Sequence, residues 1–458
     1  MKREQLNPSQ QQKSARDTMT FMVHKDVKKH LEAGKRLFDL GDVAKALNHY
    51  KAALAIDPDC ALVHFNLGFA FSESQDREAA KRCYQRAIEL EPECSLFLEH
   101  LAKIYFESEE YSQAISLFQR AHGVGKIQPV SFGLWGRCYY ELGEYESSAE
   151  QMGKMLRHEL SPTLTGYARY YLVLSWLRAG RLFRARAEME PLLTLEMSDY
   201  EMLADLGEQL LDAKCITLSK RCFERFLDKR EDLAVRKSYQ EIVDIEQRVD
   251  QILPRLFSGD EERILQNIHL LYQFGSEKVG RALASIQDAH SPLIREAVVE
   301  YHRRYGYPFS GELSRLMNDA TVFVREKAAE YVYYNRDRRF TSEMEQRLED
   351  PSSRVRRFAA MYLRDVGSMN ALPLLTRVLA DEEDPETQRQ LRLALASVKM
   401  RHDRRQRALT DARLLEETPK ELLEPVGQGP YRDSIGRAIG YALLVAASVL
   451  LIFALLSL

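Results

Sequence analysis

Sulfur is scarce in this chain and carries no pattern. The 458 residues include six cysteines (Cys60, Cys83, Cys94, Cys138, Cys215 and Cys222), and no two form a CxxC pair. That leaves no disulfide framework, and it fits reduced thiols packed between helices in a reducing compartment. An excess of either charge is also missing. Lysine and arginine number 65 against 68 acidic residues, a net charge of −3, which argues against nucleic acid as the main ligand. No P-loop, GxGxxG, HExxH or GxSxG occurs, so the chain is not expected to be an enzyme, and no cofactor or metal is expected. The opening residues, MKREQLNPSQQQKSARD, have no apolar core, so 1–26 reads as a polar, disordered tail and not as a signal peptide. Only one long apolar run exists, and it closes the chain.

What is present is repetition. A small residue recurs at Gly34, Gly68, Ala102 and Gly136, each 34 residues after the last. After a three-residue insertion the register resumes at Val173 and Gly207. Twelve residues beyond each anchor stands Ala46, Ala80, Ala114, Ser148, Ala185 or Ser219, and sixteen beyond it Tyr50, Tyr84, Phe118, Met152, Met189 or Phe223. Pro58 and Pro92 close the first two units. A fixed period of this length marks a solenoid of helix pairs, each burying its apolar face against the next.

The pattern resembles the tetratricopeptide repeat (TPR) family across six units in 27–235, most closely in the first two. Small residues at the anchor and alanine positions let helices A and B of a unit approach, and the aromatic fills the gap between pairs. Pro191 falls within the second helix of the fifth unit, which should be short or kinked there. An amphipathic helix over 236–258 should connect and cap this array, bent near its end by Pro254.

A second period then begins. Asp288, Asp319, Asp350 and Asp381 are 31 residues apart, and Ile294-Arg295, Val324-Arg325 and Val355-Arg356 open helices after the first three. This is similar to the HEAT family in its shorter form, over 259–400. In that family the aspartate commonly caps the next helix and the arginine bonds a neighbouring unit's aspartate, so Asp319 and Arg325 are expected to be structural.

Ala438 to Leu458, AIGYALLVAASVLLIFALLSL, is 21 residues without a charge. As a helix it would cross a hydrocarbon core of roughly 30 Å. With Arg432 and Arg437 before it, 435–458 is expected to be a transmembrane anchor in contact with the lipid bilayer. The repeats would then lie in the cytoplasm, at a bacterial inner membrane. Gly436 and Gly440 form a GxxxG through which two anchors could associate weakly. Arg401, Arg404, Arg405 and Arg407 read as a solvated basic face opening a polar linker, 401–434, whose Pro419, Pro425 and Pro430 make its later part irregular. The expected fold is therefore all-α: a TPR solenoid, a HEAT-like solenoid and one C-terminal transmembrane helix.

The TPR resemblance implies a groove lined by the first helix of each unit. Carried over residue by residue, it assigns a peptide-binding groove to Lys35, Phe38, Phe65, Asn66, Phe69, Lys103, Phe106, Arg137 and Tyr140. Aromatic anchors among cations suit an extended or helical peptide with apolar side chains and some acidic character. The clamp with which some TPR proteins hold chaperone tails is not matched. Its places hold Leu31, Lys35, Asn66, Leu96 and His100, of which only Asn66 fits. The expected role is a membrane-tethered protein–protein interaction scaffold or adaptor. The alternative is a receptor or assembly factor delivering client proteins to a membrane machine. A HEAT-based lyase would rest on fold analogy alone.

Overall fold

The computed structural model describes residues 25–196, 200–308 and 313–416, with side chains as far as Asp403. Among these residues there are α-helices and short 3-10 turns and no strand, an all-helical solenoid. The chain forms two compact units, 1–159 and 160–458.

The first unit holds four helix pairs: α1 (Lys25–Asp39) with α2 (Val43–Ile56), α3 (Ala61–Glu73) with α4 (Arg77–Leu90), α5 (Ser95–Glu107) with α6 (Tyr111–Val124), and α7 (Pro129–Glu141) with α8 (Tyr145–Met155). The anchor residues act by their size. A Cβ on Gly34 would lie 2.5 Å from the Tyr50 ring, and one on Gly68 would lie 2.9 Å from the Tyr84 ring. The first two B helices start on aspartates, Asp42 accepting from Lys45 N and Asp76 from Ala79 N. At the same place the third and fourth have Glu110 and Glu144, which make no such cap.

The second unit opens with two further pairs, α9 (Pro162–Arg178) with α10 (Leu182–Leu193) and α11 (Glu201–Asp212) with α12 (Ile216–Leu227). A Cβ on Gly207 would meet the Phe223 ring at 2.4 Å. Pro191 sits in the last turn of α10, which ends two residues later. The connecting helix α13 (Leu233–Ile252) buries Val235, Ile242 and Val249, then passes into a 3-10 turn over Leu253–Phe257 at Pro254. The HEAT-like region, with its 31-residue period, then runs through α14 (Glu261–Leu271), α15 (Glu277–Ala284), α16 (Pro292–Tyr305), α17 (Leu313–Met317), α18 (Val322–Asn335), α19 (Thr341–Gln346), α20 (Ser353–Val366), α21 (Leu372–Asp381) and α22 (Pro385–Glu416). The division into units falls at 159/160, whereas the repeat type changes near 235, because the fifth and sixth pairs pack on the HEAT helices. Gly275 N donates to Lys214 O at 2.7 Å, Glu277 N to Thr217 Oγ1 at 3.0 Å, and the Arg186 guanidinium to Tyr305 O at 3.1 Å.

Two expectations about the C-terminal region are corrected. The first part of the expected linker, 401–416, is helical, as α22 continues unbroken to Glu416. No proline or glycine lies between Pro385 and Pro419, and Arg401 is not a free basic face. Its guanidinium donates to the carbonyls of Leu363, Arg364 and Gly367, closing the C-terminal end of α20. The second correction concerns localisation by a single-pass membrane anchor: among the described residues no helix is long and apolar enough to cross a membrane. The segment proposed for it, 435–458 with Gly436 and Gly440, lies outside the described residues, as do 1–24 of the expected tail and the later linker.

Candidate functional site

The groove residues lie on α1, α3, α5 and α7, and the register brings several together. Phe38 on α1 and Phe69 on α3 meet with ring centroids 5.1 Å apart, and Phe69 meets His100 on α5 edge-on at 5.6 Å. Phe38, Phe69 and His100 are half-buried, and on the same helices Leu62, two turns before Phe69, and Leu96, one turn before His100, are 44% and 38% exposed. The result is a partly open apolar strip running from one A helix to the next. Farther along, Phe106 packs near Tyr111 at 6.0 Å, and Tyr140 meets Tyr145 edge-on at 5.5 Å, each ring held by its own hairpin.

Phe65 does not share this position. It is buried between the rings of Phe97, His100 and Tyr84, at 5.0, 4.9 and 5.7 Å, and is part of the packing. The Asn66 amide donates to Leu62 O one turn earlier at 2.7 Å, a bond within its own helix. Lys35 is half-buried on α1. Lys103 pairs with Glu107 at 3.7 Å and Arg137 with Glu141 at 2.5 Å, so both cations are locally compensated. His100 lies among aromatic rings, and burial pushes its imidazole down to about 3, which makes it neutral. Glu99 is turned inward. Its carboxylate accepts from Gln128 N at 2.8 Å and Ser131 Oγ at 2.5 Å, and burial raises its pKa against those bonds. The buried glutamate thus ties α5 to the start of α7.

In the second unit the arginine register forms a ladder. Arg295 grips Asp319 with both arms at 2.8 and 2.9 Å, Arg325 grips Asp350 at 2.8 and 3.0 Å, and Arg356 grips Glu382 at 2.7 Å twice. Each guanidinium also donates to two carbonyls before its own helix. Desolvation raises the pKa of Asp319, but the Arg295 hydrogen bonds and charge together with the Thr321 hydrogen bonds outweigh it and hold the carboxyl below its usual range. The third rung uses Glu382 where the period places Asp381. These residues are saturated by one another and serve the fold.

One structural set escaped the sequence reading. Six residues after each ladder arginine stands a tyrosine whose hydroxyl reaches the previous unit: Tyr301 to Phe274 O at 2.7 Å, Tyr331 to Tyr307 O at 2.9 Å, and Tyr362 to Asp337 O at 2.9 Å. Its signal was the shared register with Arg295, Arg325 and Arg356.

Comparison with known proteins agrees with the two repeat types. A family model described as TPR repeat matches 34–75, one described as tetratricopeptide repeat matches 70–123, and one described as HEAT repeats matches 312–396. The chain carries TPR and HEAT repeats. No curated protein matches it. Similar solved structures include MamA protein, at 19% identity over 37% of this chain and 91% of that one with a TM-score of 0.34. YrrB, described as a TPR protein with an unusual peptide-binding site, is 15% identical over 42% of this chain and 97% of that one, with a TM-score of 0.37. PilF of Pseudomonas aeruginosa is 16% identical over 48% and 97%, with a TM-score of 0.39. At these values the likenesses carry no argument about function.

Proposed function

We propose that the chain is a protein–protein interaction scaffold in which the A helices of the first four TPR pairs hold an extended or helical peptide by its apolar side chains. The observation that carries this is the half-exposed contact between Phe38 and Phe69, continued to His100 on the next A helix. The aromatic residues that close the core, Tyr84, Phe118 and Phe223, are exposed by 1% or less. The strip therefore contains rings that the packing leaves partly open, the arrangement from which peptide-binding hot spots are made. Lys35 lies on the same helix as Phe38, Lys103 on the same helix as His100, and Arg137 on the next A helix, α7. Because Lys103 and Arg137 already have carboxylate partners, acidic peptide residues would compete with Glu107 and Glu141, and apolar contacts should supply most of the affinity.

The test is pull-down of partners from cell extract by the full chain, its Phe69→Ser, Phe106→Ser double variant and a Phe38→Ser, Phe69→Ser variant, with helicity followed by circular dichroism. Loss of partners on both variants with unchanged helicity is the expected result. Retention by the second variant at wild-type level, with the fold intact, sinks the proposal.

A further inference from the structure

On the first hairpin, away from the apolar strip, two imidazoles face one another. His30 on α1 and His49 on α2 have Nδ1 atoms 3.2 Å apart and ring centroids 5.4 Å apart, with the planes inclined by 43°. Both residues are half-buried, so solvent ions reach them. Their approach is set by the backbone: His30 stands one turn before Gly34, His49 immediately before Tyr50, and a Cβ on Gly34 would collide with the Tyr50 ring at 2.5 Å. The pair is therefore held on two helices locked at close range.

Two nitrogens each about 2.05 Å from one ion at a tetrahedral angle lie about 3.3 Å apart. We propose that His30 and His49 form a two-imidazole chelate for a borderline divalent cation of the Zn2+, Ni2+ and Cu2+ class. Imidazole suits these ions, and neutral rings supply the lone pairs. The separation also suits one N–H···N bond between neutral rings. On binding, that Nδ1 proton passes to Nε2 of the same ring through solvent, so both Nδ1 lone pairs face the ion and no net proton is released. Among the described residues no group of three or more His, Cys, Asp and Glu could hold a metal, so water fills the other coordination positions. The site belongs to the first hairpin alone. The same register in the second holds His64 and Cys83, with His64 Nε2 bonded to Pro58 O at 2.8 Å, and in the third it holds Leu98 and Leu117.

The experiment titrates Zn2+, Ni2+ and Cu2+ separately into the chelator-stripped full chain against a chromophoric competitor at pH 7.5. The variants are His30→Gln, His49→Gln and the double, with melting followed by circular dichroism. The expected result is one saturable site for at least one of the ions in the wild type. Each single variant should weaken it at least tenfold, the double should abolish it, and a metal-induced rise in melting temperature should vanish in all three. Binding in either single variant within twofold of the wild type overturns the proposal, as does the absence of saturable binding of any of the three ions in the wild type. Partner pull-down by His49→Gln should be unchanged, which separates this site from the peptide strip.

Discussion

Gly306 ends α16 with φ +62°, and the backbone of Phe183 lies so close that a Cβ at 306 would come within 2.3 Å of Phe183 N. A left-handed cap and a helix start from 123 residues earlier thus share one space. Gly306→Ala has to resolve a clash with backbone, which does not yield as a side chain would, and must also hold alanine at positive φ. Overpacking costs about 1–3 kcal/mol and the left-handed conformation adds about 1–2. Urea unfolding should show a loss of about 2–5 kcal/mol. Amide exchange should accelerate in α10 and α16 before it changes in α1 to α8.

The ladder gives a contrast between buried and exposed charge. The Asp350 side chain is 1% exposed and Arg325 holds it with two bonds, so Arg325→Ala strips a buried carboxylate of its bidentate partner and leaves it the Ser352 N–H and Arg347 at 3.5 Å. With those two partners left, the expected cost is about 2–4 kcal/mol. Arg377 and Glu349 also pair across neighbouring units, but both are more than half exposed. Arg377→Ala should cost less than about 1 kcal/mol. Chemical denaturation of the two variants side by side reads the difference.

Each of the six TPR pairs turns from helix A to helix B through one residue at positive φ: Gly41, Gln75, Glu109, Gly143, Gly180 and Lys214. Three of these positions carry a side chain that pays the left-handed penalty. Glu109→Gly should stabilise the first unit by about 0.5–1 kcal/mol, the relief of strain exceeding the added freedom of glycine in the unfolded chain. An upward shift in the urea midpoint at unchanged slope checks it.

His100 titrates near 6.5 in an unfolded chain and, pushed down by burial, at about 3 in the folded one. Between these values the unfolded state binds the extra proton. The contribution of His100 is therefore complete above about pH 6.5 and is lost as pH falls towards the folded value. His100→Phe should lose less stability than the wild type between pH 7.5 and 5.0, by on the order of 1 kcal/mol after allowing for the solvent that reaches the ring. Equal losses in both proteins would show that the imidazole is not the group responsible.

Much of the TPR core was legible because its constraint is local. Gly34, Gly68 and Gly207 repeat at the places where a ring of the same hairpin fills the space of a Cβ, and that demand recurs with the period. The ladder of Arg295, Arg325 and Arg356 was readable for the same reason. The strip was less legible. Phe65 and Phe69 are one turn apart on one helix, yet the first is buried by Phe97 and His100 of the next unit while the second stays half-open. Helical spacing alone does not rank two neighbouring aromatics by depth. The role of Arg401 was not legible because a run of arginines looks the same whether it faces water or, as here, caps another helix.

Period, anchor size and helix breakers are properties of consecutive residues, and from them the chain's two repeat types and their all-α character followed without coordinates. The grouping of the fifth and sixth TPR pairs with the HEAT helices did not. It rests on Gly275 against Lys214 and Gly306 against Phe183, contacts between segments that no period relates. Neither glycine stands out in the sequence. Each is needed only because another backbone arrives where its side chain would be, and that is decided when the chain folds back on itself.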